Sequence, residues 1–94
     1  MPETQVRHDA DAHRYEILEG GQPIGYTEYR SHAATYTFVH TVIDPAHRGK
    51  GHADTLIRAA LDDVRSQGLH MKPVCKAVAA FVERHPDYQD LVTA

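Results

Sequence analysis

Residues 43–53 read IDPAHRGKGHA, and this stretch decides how the chain folds. It follows the segment 34–43, which is rich in β-branched and aromatic side chains, a composition typical of a strand. Pro45 ends that strand because proline has no N–H to give to a sheet. Two glycines and two cations come next, and a helical pattern begins directly after them. The stretch therefore predicts a strand that enters a helix through a short, glycine-rich, cationic loop.

The residues after this loop predict a helix over 51–67. Asp54 and Arg58 lie four residues apart with the acid first, which is the favourable order for an ion pair on a helix. Gly68 suits the position just beyond a helix end. The apolar side chains recur with helical period and form one stripe that should face the core: Leu56, Ile57, Ala60, Leu61 and Val64.

The flanking segments predict further strands and a second helix. We expect an α/β fold in the order β-β-β-β-α-β-α, with an antiparallel meander first. The strand–helix–strand unit that follows is long enough for a right-handed crossover between parallel strands, and a C-terminal helix completes the fold. The further strands are predicted at 4–9, 14–18, 24–30 and 70–74, a connection at 31–33, the second helix at 75–84 and a last helical turn within 87–92.

Composition places the chain among ordinary globular proteins. Its 94 residues are 41% hydrophobic and 24% charged, which predicts one domain, 1–94, with a thin core.

Ten Lys and Arg against 13 Asp and Glu give a net charge of −3, whereas a general nucleic-acid binder needs a basic field. No apolar run approaches the roughly 18 residues that cross a bilayer. We therefore expect no nucleic acid and no membrane as partners, and a monomer or a weak homodimer formed through a sheet edge.

The N-terminus and the cysteine content bear on the compartment. Residues 1–5, MPETQ, have neither the basic nor the apolar region of a secretory signal. The single cysteine, Cys75, cannot form an internal disulfide, as expected in a reducing compartment. The sequence therefore predicts a cytoplasmic protein.

The glycine-rich loop has the features of an anion cradle. The first N–H groups of a helix lack partners inside the helix, and the helix dipole adds positive charge there. Glycines let a phosphate approach the backbone closely, and Arg48 and Lys50 add charge. A diphosphate is the expected occupant, although the Walker and Rossmann patterns are both absent. The alternative is a plain glycine-rich helix start with solvated charges.

The pattern Arg48-x-x-Gly51-x-Ala53, after an aliphatic-x-Pro strand end, resembles the acetyl-CoA pyrophosphate loop of the GNAT N-acetyltransferase superfamily. Further motifs resemble its short, minimal single-domain branch, over nearly the whole sequence. The resemblance implies a GNAT-like mixed sheet, acetyl-CoA as co-substrate and CoA as product, held in a V-shaped split between the fourth and fifth strands. The motifs are His40-Thr41, Arg48-Gly49-Lys50-Gly51, Pro73-Val74-Cys75, Arg84-His85-Pro86-Asp87-Tyr88 and Asp90-Leu91-Val92.

The same resemblance implies roles for individual residues. Main-chain groups of the fourth strand would pair with the pantetheine amides, and one N–H there would polarise the thioester carbonyl. His40 would be a general base, and Cys75 would act close to the thioester at a helix start that favours a thiolate. The cofactor-binding residues would be Thr41, Val42 and Ile43 for pantetheine, and Arg48, Gly49, Lys50, Gly51, His52 and Ala53 for the pyrophosphate.

Three positions depart from the family pattern. Val82 stands where ordinary members carry the tyrosine that protonates the departing CoA thiolate. Either Cys75 supplies that proton, or it accepts the acetyl group itself, or water suffices, or turnover is weak. His52 replaces a commoner branched aliphatic residue, and Lys76 replaces a commoner small residue or proline.

The resemblance implies one of two functions, and the sequence leaves both open. One is an acetyl-CoA-dependent N-acetyltransferase acting on a primary amine of a small molecule or peptide. The other is a CoA-binding or protein-interaction module with little or no turnover. The seven histidines other than His40 lack paired helical spacing and cysteine partners, so we expect them scattered on the surface and predict no metal site.

Overall fold

The computed structural model describes residues 3–93. Met1, Pro2 and Ala94 lie outside the described residues, and with them the ends of the predicted domain span 1–94 and part of the N-terminal segment 1–5. Five strands form one sheet in the order β1-β2-β3-β4-β5. Their bounds are Thr4–Asp9 for β1, Arg14–Glu19 for β2, Gln22–His32 for β3, Thr35–Ile43 for β4 and His70–Pro73 for β5.

Two α-helices and two 3₁₀ segments complete the described chain. They are α1 at His52–Ser66, α2 at Lys76–Arg84, a 3₁₀ turn at Pro45–His47 and a 3₁₀ helix at Pro86–Leu91. The predicted order of elements is confirmed. Neither α-helix within residues 3–93 is long and apolar enough to cross a bilayer.

The topology is the predicted mixed one. Strands β1 to β4 pair antiparallel with their neighbours, whereas β4 and β5 are parallel and α1 connects them. The connection expected at 31–33 was wrong, because pairing of His32 with Thr35 extends β3 and leaves the turn at Ala33 and Ala34. The α/β fold class is therefore confirmed.

Both helices share one core with the sheet. All five members of the predicted α1 stripe are at most 1% exposed. From the sheet, Tyr15, Tyr29 and Phe38 join this cluster, and α2 adds Val78 and Phe81 among others. The helices therefore lie on one face of the sheet, and no helix within the described residues covers the second face.

The ion pair expected within α1 is replaced by a longer-range one. Asp54 accepts two hydrogen bonds from Arg84 of α2, both at 3.0 Å, because the last turn of α2 packs beside the first turn of α1. Arg58 instead lies over the rings of Phe81 and Tyr88, 5.4 and 5.8 Å from their centroids. The two helices are thus linked by contacts that helical spacing alone does not predict.

Candidate functional site

Strand β4 changes its neighbours halfway along its length. Up to Phe38 it pairs with β3 on one edge and with β5 on the other. A β-bulge at Val39 then shifts the β3 register, so that Phe38 faces Tyr29 but His40 faces Glu28. Bulges bend a strand and disturb its pairing. Beyond the bulge, the edge of β4 that faced β5 has no strand partner within the described residues, and we call it the free edge. The gap between this free edge and the end of β5 corresponds to the split expected between β4 and β5.

The end of β5 forms the other side of this split. The last strand residue is Pro73, and the amide of Cys75 donates to the carbonyl of Phe38 at 2.8 Å. From there the chain enters α2 instead of following β4. Val74 precedes α2, and its side chain is 66% exposed. An exposed apolar side chain therefore stands at the mouth of the split.

Strand alternation decides which amides point into the split. The amide of Asp44 donates to a β3 carbonyl at 2.7 Å, and the carbonyl of Val42 also lies against β3. Backbone groups of neighbouring strand residues point to opposite edges. The backbone N–H and C=O groups of Thr41 and Ile43 therefore point into the split. There the carbonyl of Ile43 accepts a hydrogen bond from Nε of Arg48 at 3.2 Å.

Cys75 faces the free edge from the helix side. It is the N-cap residue of α2, and its Sγ donates to Oγ1 of Thr41 at 3.2 Å. Oγ1 of Thr41 in turn shares a hydrogen bond of 2.9 Å with Oγ1 of the buried Thr27. Sequence reasoning missed the hydroxyl pair, because only the β3–β4 register sets Thr27 opposite Thr41. These hydrogen bonds hold the thiol against the middle of β4.

His40 lies on the other face of β4. Its side chain is exposed, with its ring centroid 6.3 Å from that of Tyr26. Glu28 is its cross-strand neighbour, and directly opposed residues project from the same face. The structure therefore does not bring His40 and Cys75 together but sets them on opposite sides of the free edge. Sequence reasoning missed Glu28 for the same reason as Thr27.

A pocket of about 330 Å³ opens beside β4 on this second face of the sheet. Its polar lining includes Arg14, Glu16 and Tyr26. The carboxylate of Glu16 is largely buried and is held by Arg14 at 3.0 Å and by Arg7. The guanidinium of Arg14 also lies 4.9 Å above the ring of Tyr26. The pocket thus combines charged and apolar surface, as sites for small molecules do.

The loop between β4 and α1 has the predicted backbone. Asp44 accepts a hydrogen bond from the amide of Ala46 at 2.9 Å and starts the 3₁₀ turn. Gly49 and Gly51 both have a φ of +78°, a conformation that favours glycine. Gly51 is the N-cap of α1, and no side chain caps the helix there. The amides of the first turn are therefore available to a ligand.

The electrostatics of this loop favour an anion. Arg48 and Lys50 are exposed, and a pocket of about 220 Å³ lies against the loop, with His52 and Ala53 in its lining. Asp54 is the acidic residue of the first helical turn. Its hydrogen bonds from Arg84 hold the pKa of the Asp54 carboxyl below its usual value, so its charge is already paired. The positive end of the α1 dipole is therefore not offset by an unpaired acid in the first turn of the helix.

Val82 contributes nothing polar to the split. Its side chain is 2% exposed and belongs to the core cluster beneath α2. The thiol of Cys75, rather than any group at Val82, is the proton-bearing side chain that α2 brings to the free edge.

Two histidines are not scattered on the surface as expected. His47 Nδ1 lies 3.3 Å from Oε1 of Glu19, and His52 Nε2 lies 3.5 Å from Oε2 of the same carboxylate. The side chain of His52 is only 9% exposed. The expectation was wrong because the end of β2 packs beside the loop, a proximity that the sequence does not show.

Comparison with known proteins places these features in context. A family model described as GCN5-related N-acetyl-transferase matches residues 14–91. A GCN5-like protein from Staphylococcus aureus has a solution structure similar to this one, with a TM-score of 0.72 and 17% identity over 96% of this chain and 88% of that chain. No curated protein matches the chain.

Two enzyme structures share the fold at lower similarity. A ribosomal-protein alanine N-acetyltransferase from Escherichia coli gives a TM-score of 0.66 at 11% identity, over 89% of this chain and 76% of that chain. The PaiA N-acetyltransferase from Thermoplasma acidophilum, in complex with coenzyme A, gives 0.57 at 14% identity, over 79% of this chain and 48% of that chain. At such identities these likenesses establish the fold, and the predicted mixed sheet is confirmed.

Proposed function

The chain belongs to the GCN5-related N-acetyltransferase family and is therefore an acyltransferase, and we propose that it moves the acetyl group of acetyl-CoA to a primary amine. The observation that carries the proposal is the junction of two features. The free edge of β4 ends at a loop whose helix, α1, has an uncapped N-terminus. Together they offer one continuous line of amides to a molecule with an amide-bearing arm and a diphosphate.

The diphosphate would lie on the loop and the first turn of α1. The amides of Gly49, Lys50, Gly51, His52 and Ala53 would donate to its oxygens, since a helix N-terminus and nearby glycines accommodate phosphate. The side chains of Arg48 and Lys50 would add charge. The contact from Arg48 to the carbonyl of Ile43 supports this, because it holds the guanidinium near the start of the loop.

The pantetheine arm would continue along residues 41–43 of β4. Ile43 adjoins the loop, so its backbone groups would pair with a pantetheine amide. Thr41 lies beside Cys75, so its N–H would point at the thioester carbonyl and stabilise the negative charge that develops there. The side chain of Val42 faces the second side of the sheet, and exposed Val74 would pack against the arm.

The reaction would use both faces of β4. An amine that arrives protonated first loses one proton to solvent. Its nitrogen then bonds to the thioester carbon from the open face, while His40 takes the second proton that this nitrogen loses. The carbon–sulfur bond then breaks, and the CoA thiolate takes the proton of the Cys75 thiol, which solvent later returns. Direct transfer is supported by the hydrogen bond from Sγ to Thr41, in which the thiol serves as a proton donor.

The acceptor would enter from the second face of the sheet. No helix within residues 3–93 covers that face, so the acceptor side of the site is half open. Glu28 beside His40 would attract a protonated amine, and the neighbouring pocket offers room for the rest of a small molecule or a peptide end. We propose a single domain, 1–94, that acts as a monomer or weak homodimer. A cytoplasmic location is also proposed, and the free thiol of Cys75 is compatible with a reducing compartment.

Release of CoA thiol in the presence of acetyl-CoA and a panel of primary amines tests the proposal. We expect amine-dependent release that falls about 100-fold in His40→Gln, because general-base catalysis typically supplies at least this factor. His32→Gln, at an exposed position of β3, is the matched control and should retain the rate. Release that does not depend on amine would contradict the proposal.

The role of Cys75 needs a separate measurement. Cys75→Ala should lower kcat about tenfold or more with little change in the KM for acetyl-CoA, and Cys75→Ser should recover part of the loss. The intact mass of the parent protein mixed with acetyl-CoA should stay unchanged. An acetyl adduct that disappears in Cys75→Ala would show a two-step route through the thiol instead.

A second function is favoured by one observation, the buried valine at the position of the usual tyrosine acid. In that case the chain would be a CoA-binding or protein-interaction module with little turnover. Binding of CoA without amine-dependent thiol release would identify it.

A further inference from the structure

Three metal-ligating side chains from three separate elements meet at the base of the loop. Glu19 ends β2, His47 ends the 3₁₀ turn and His52 begins α1. One ligand atom from each, a carboxylate oxygen or a ring nitrogen, lies within 4.8 Å of the others. Imidazole nitrogens and carboxylate oxygens are common ligands of zinc in proteins.

The ring nitrogens in this cluster lack hydrogen bonds. Within residues 3–93, Nδ1 of His47 and Nε2 of His52 are both buried and neither has a hydrogen-bond partner, although each points at Glu19. The side chain of His52 is more than nine-tenths buried. Leaving a buried polar atom unpaired costs free energy, and a cation shared with the carboxylate would give both nitrogens a partner.

The distances suit a tetrahedral metal ion. Zinc bonds to nitrogen and oxygen are about 2.0–2.2 Å long, which sets neighbouring ligand atoms about 3.3 Å apart in a tetrahedron. Oε1 of Glu19 lies 3.3 Å from His47 Nδ1 and Oε2 lies 3.5 Å from His52 Nε2, so the carboxylate is near this spacing from both nitrogens, through a different oxygen in each case. An ordinary ion pair needs only one histidine and one carboxylate. It does not account for a second imidazole that contacts the same carboxylate.

We propose that Glu19, His47 and His52 bind one divalent transition-metal ion of the zinc type. Three protein ligands leave a fourth position for water. The ion would tie the end of β2 to both flanks of residues 48–51, since His47 precedes these residues and His52 follows them. It would therefore stabilise the folded state and restrict the loop, whether or not the protein transfers acetyl groups.

Titration of chelator-treated, metal-free protein with ZnCl₂ in a calorimeter tests the proposal, with Co²⁺ as a spectroscopic probe. We expect saturation at one equivalent and Co²⁺ visible bands of a four-coordinate site. Zn²⁺ at about a hundredfold excess over Kd should raise the Tm by roughly 10–20 °C. Glu19→Gln, His47→Gln and His52→Gln should each weaken Zn²⁺ binding about 100-fold, because even outer partners of a metal ligand contribute 10–100-fold.

A matched control lies elsewhere in the fold. His8 Nδ1 contacts Asp63 Oδ2 at 3.5 Å, the same kind of contact without a second histidine, so His8→Gln should leave Zn²⁺ affinity unchanged. If His52→Gln fails to fold, the variants at the more exposed Glu19 and His47 carry the test. Weak binding without saturation, or affinity that all three variants retain, would overturn the proposal. Binding of CoA to the metal-free protein, measured separately, keeps this outcome distinct from failure of the acetyltransferase proposal.

Discussion

The two halves of β4 have the same strand conformation but different neighbours. Thr35 to Phe38 are paired on both edges, and Phe38 is fully buried in the core. His40 to Ile43, beyond the bulge at Val39, pair only with β3. Within one strand, the first half supports the fold and the second half leaves its backbone groups to a ligand.

This difference suggests how a small domain could place the proposed site without a dedicated insertion. The bulge reverses which residues face the helices, so Phe38 packs in the core before it and Thr41 meets Cys75 after it. A residue on the other face, His40, is exposed by the same change. Substitutions in the two halves should therefore have different consequences.

The largest effect is expected in the first half. Phe38→Ala should lower the free energy of unfolding by about 3–5 kcal/mol, because it removes a buried ring and leaves a cavity. Val42→Ala in the second half should cost less than about 1 kcal/mol, since Val42 is only half-buried on the open face. Urea unfolding followed by circular dichroism measures both. Equal losses in the free energy of unfolding would contradict the difference between the two halves of β4.

A smaller loss is expected at Gly25 of β3, which leaves no room for a side chain beside the second half of β4. A Cβ at Gly25 would lie 2.6 Å from the carbonyl oxygen of Val42, so Gly25→Ala must push the strands apart. We expect a loss of about 1–3 kcal/mol together with weaker CoA binding. Ser31→Ala, at an exposed position of the same strand, should change the free energy of unfolding by less than about 0.5 kcal/mol. Unchanged stability in Gly25→Ala would show that the free half of β4 adapts readily.

The loop should affect binding without affecting folding. Arg48→Gln and Lys50→Gln should each weaken CoA binding about tenfold, because each removes a charge-assisted contact to phosphate. Arg30→Gln, at an exposed cation on β3, should leave the affinity unchanged. Calorimetry at two salt concentrations measures this. Equal losses in all three variants would mean that net charge alone, and not the loop, attracts CoA.

The smallest effect concerns the contact between the two helices. Hydrogen bonds from Arg84 lower the pKa of Asp54, so the pair stabilises the fold above the usual value near 3.8 and loses this contribution as the pH falls below it. Because the pair is exposed, Asp54→Asn should cost at most about 0.5 kcal/mol at neutral pH and nothing near pH 2. Urea unfolding at both pH values measures the difference, with Asp11→Asn as control. A cost that persists at low pH would contradict an ionic origin.

Much of the fold was predictable because local patterns determine it. The period of the α1 stripe, Pro45 at the end of β4 and the glycines of the loop each act through their own residues or near neighbours. The same holds for Cys75 at the start of α2. These features can be read from the sequence because they do not depend on how distant parts of the chain pack.

The features that were not predictable depend on register and on distant packing. The sequence of β4 does not reveal the bulge at Val39, which changes the residues that face each side, so the Thr27–Thr41 pair could not be foreseen. Arg84 becomes the partner of Asp54 only when α2 packs beside α1. The site roles of His40, Cys75 and the loop residues remain predictions.

Amide NMR spectra recorded during titration with CoA test the central claim most directly. The claim is that the free half of β4 and the uncapped start of α1 bind the nucleotide thioester together. We predict large, saturable shifts for the amides of Thr41, Ile43, Gly49 and Gly51, and small ones for Thr35 and Thr37. Amides of the loop and of the free half that stay unmoved at millimolar CoA, or that shift no more than those of the paired half, would contradict it.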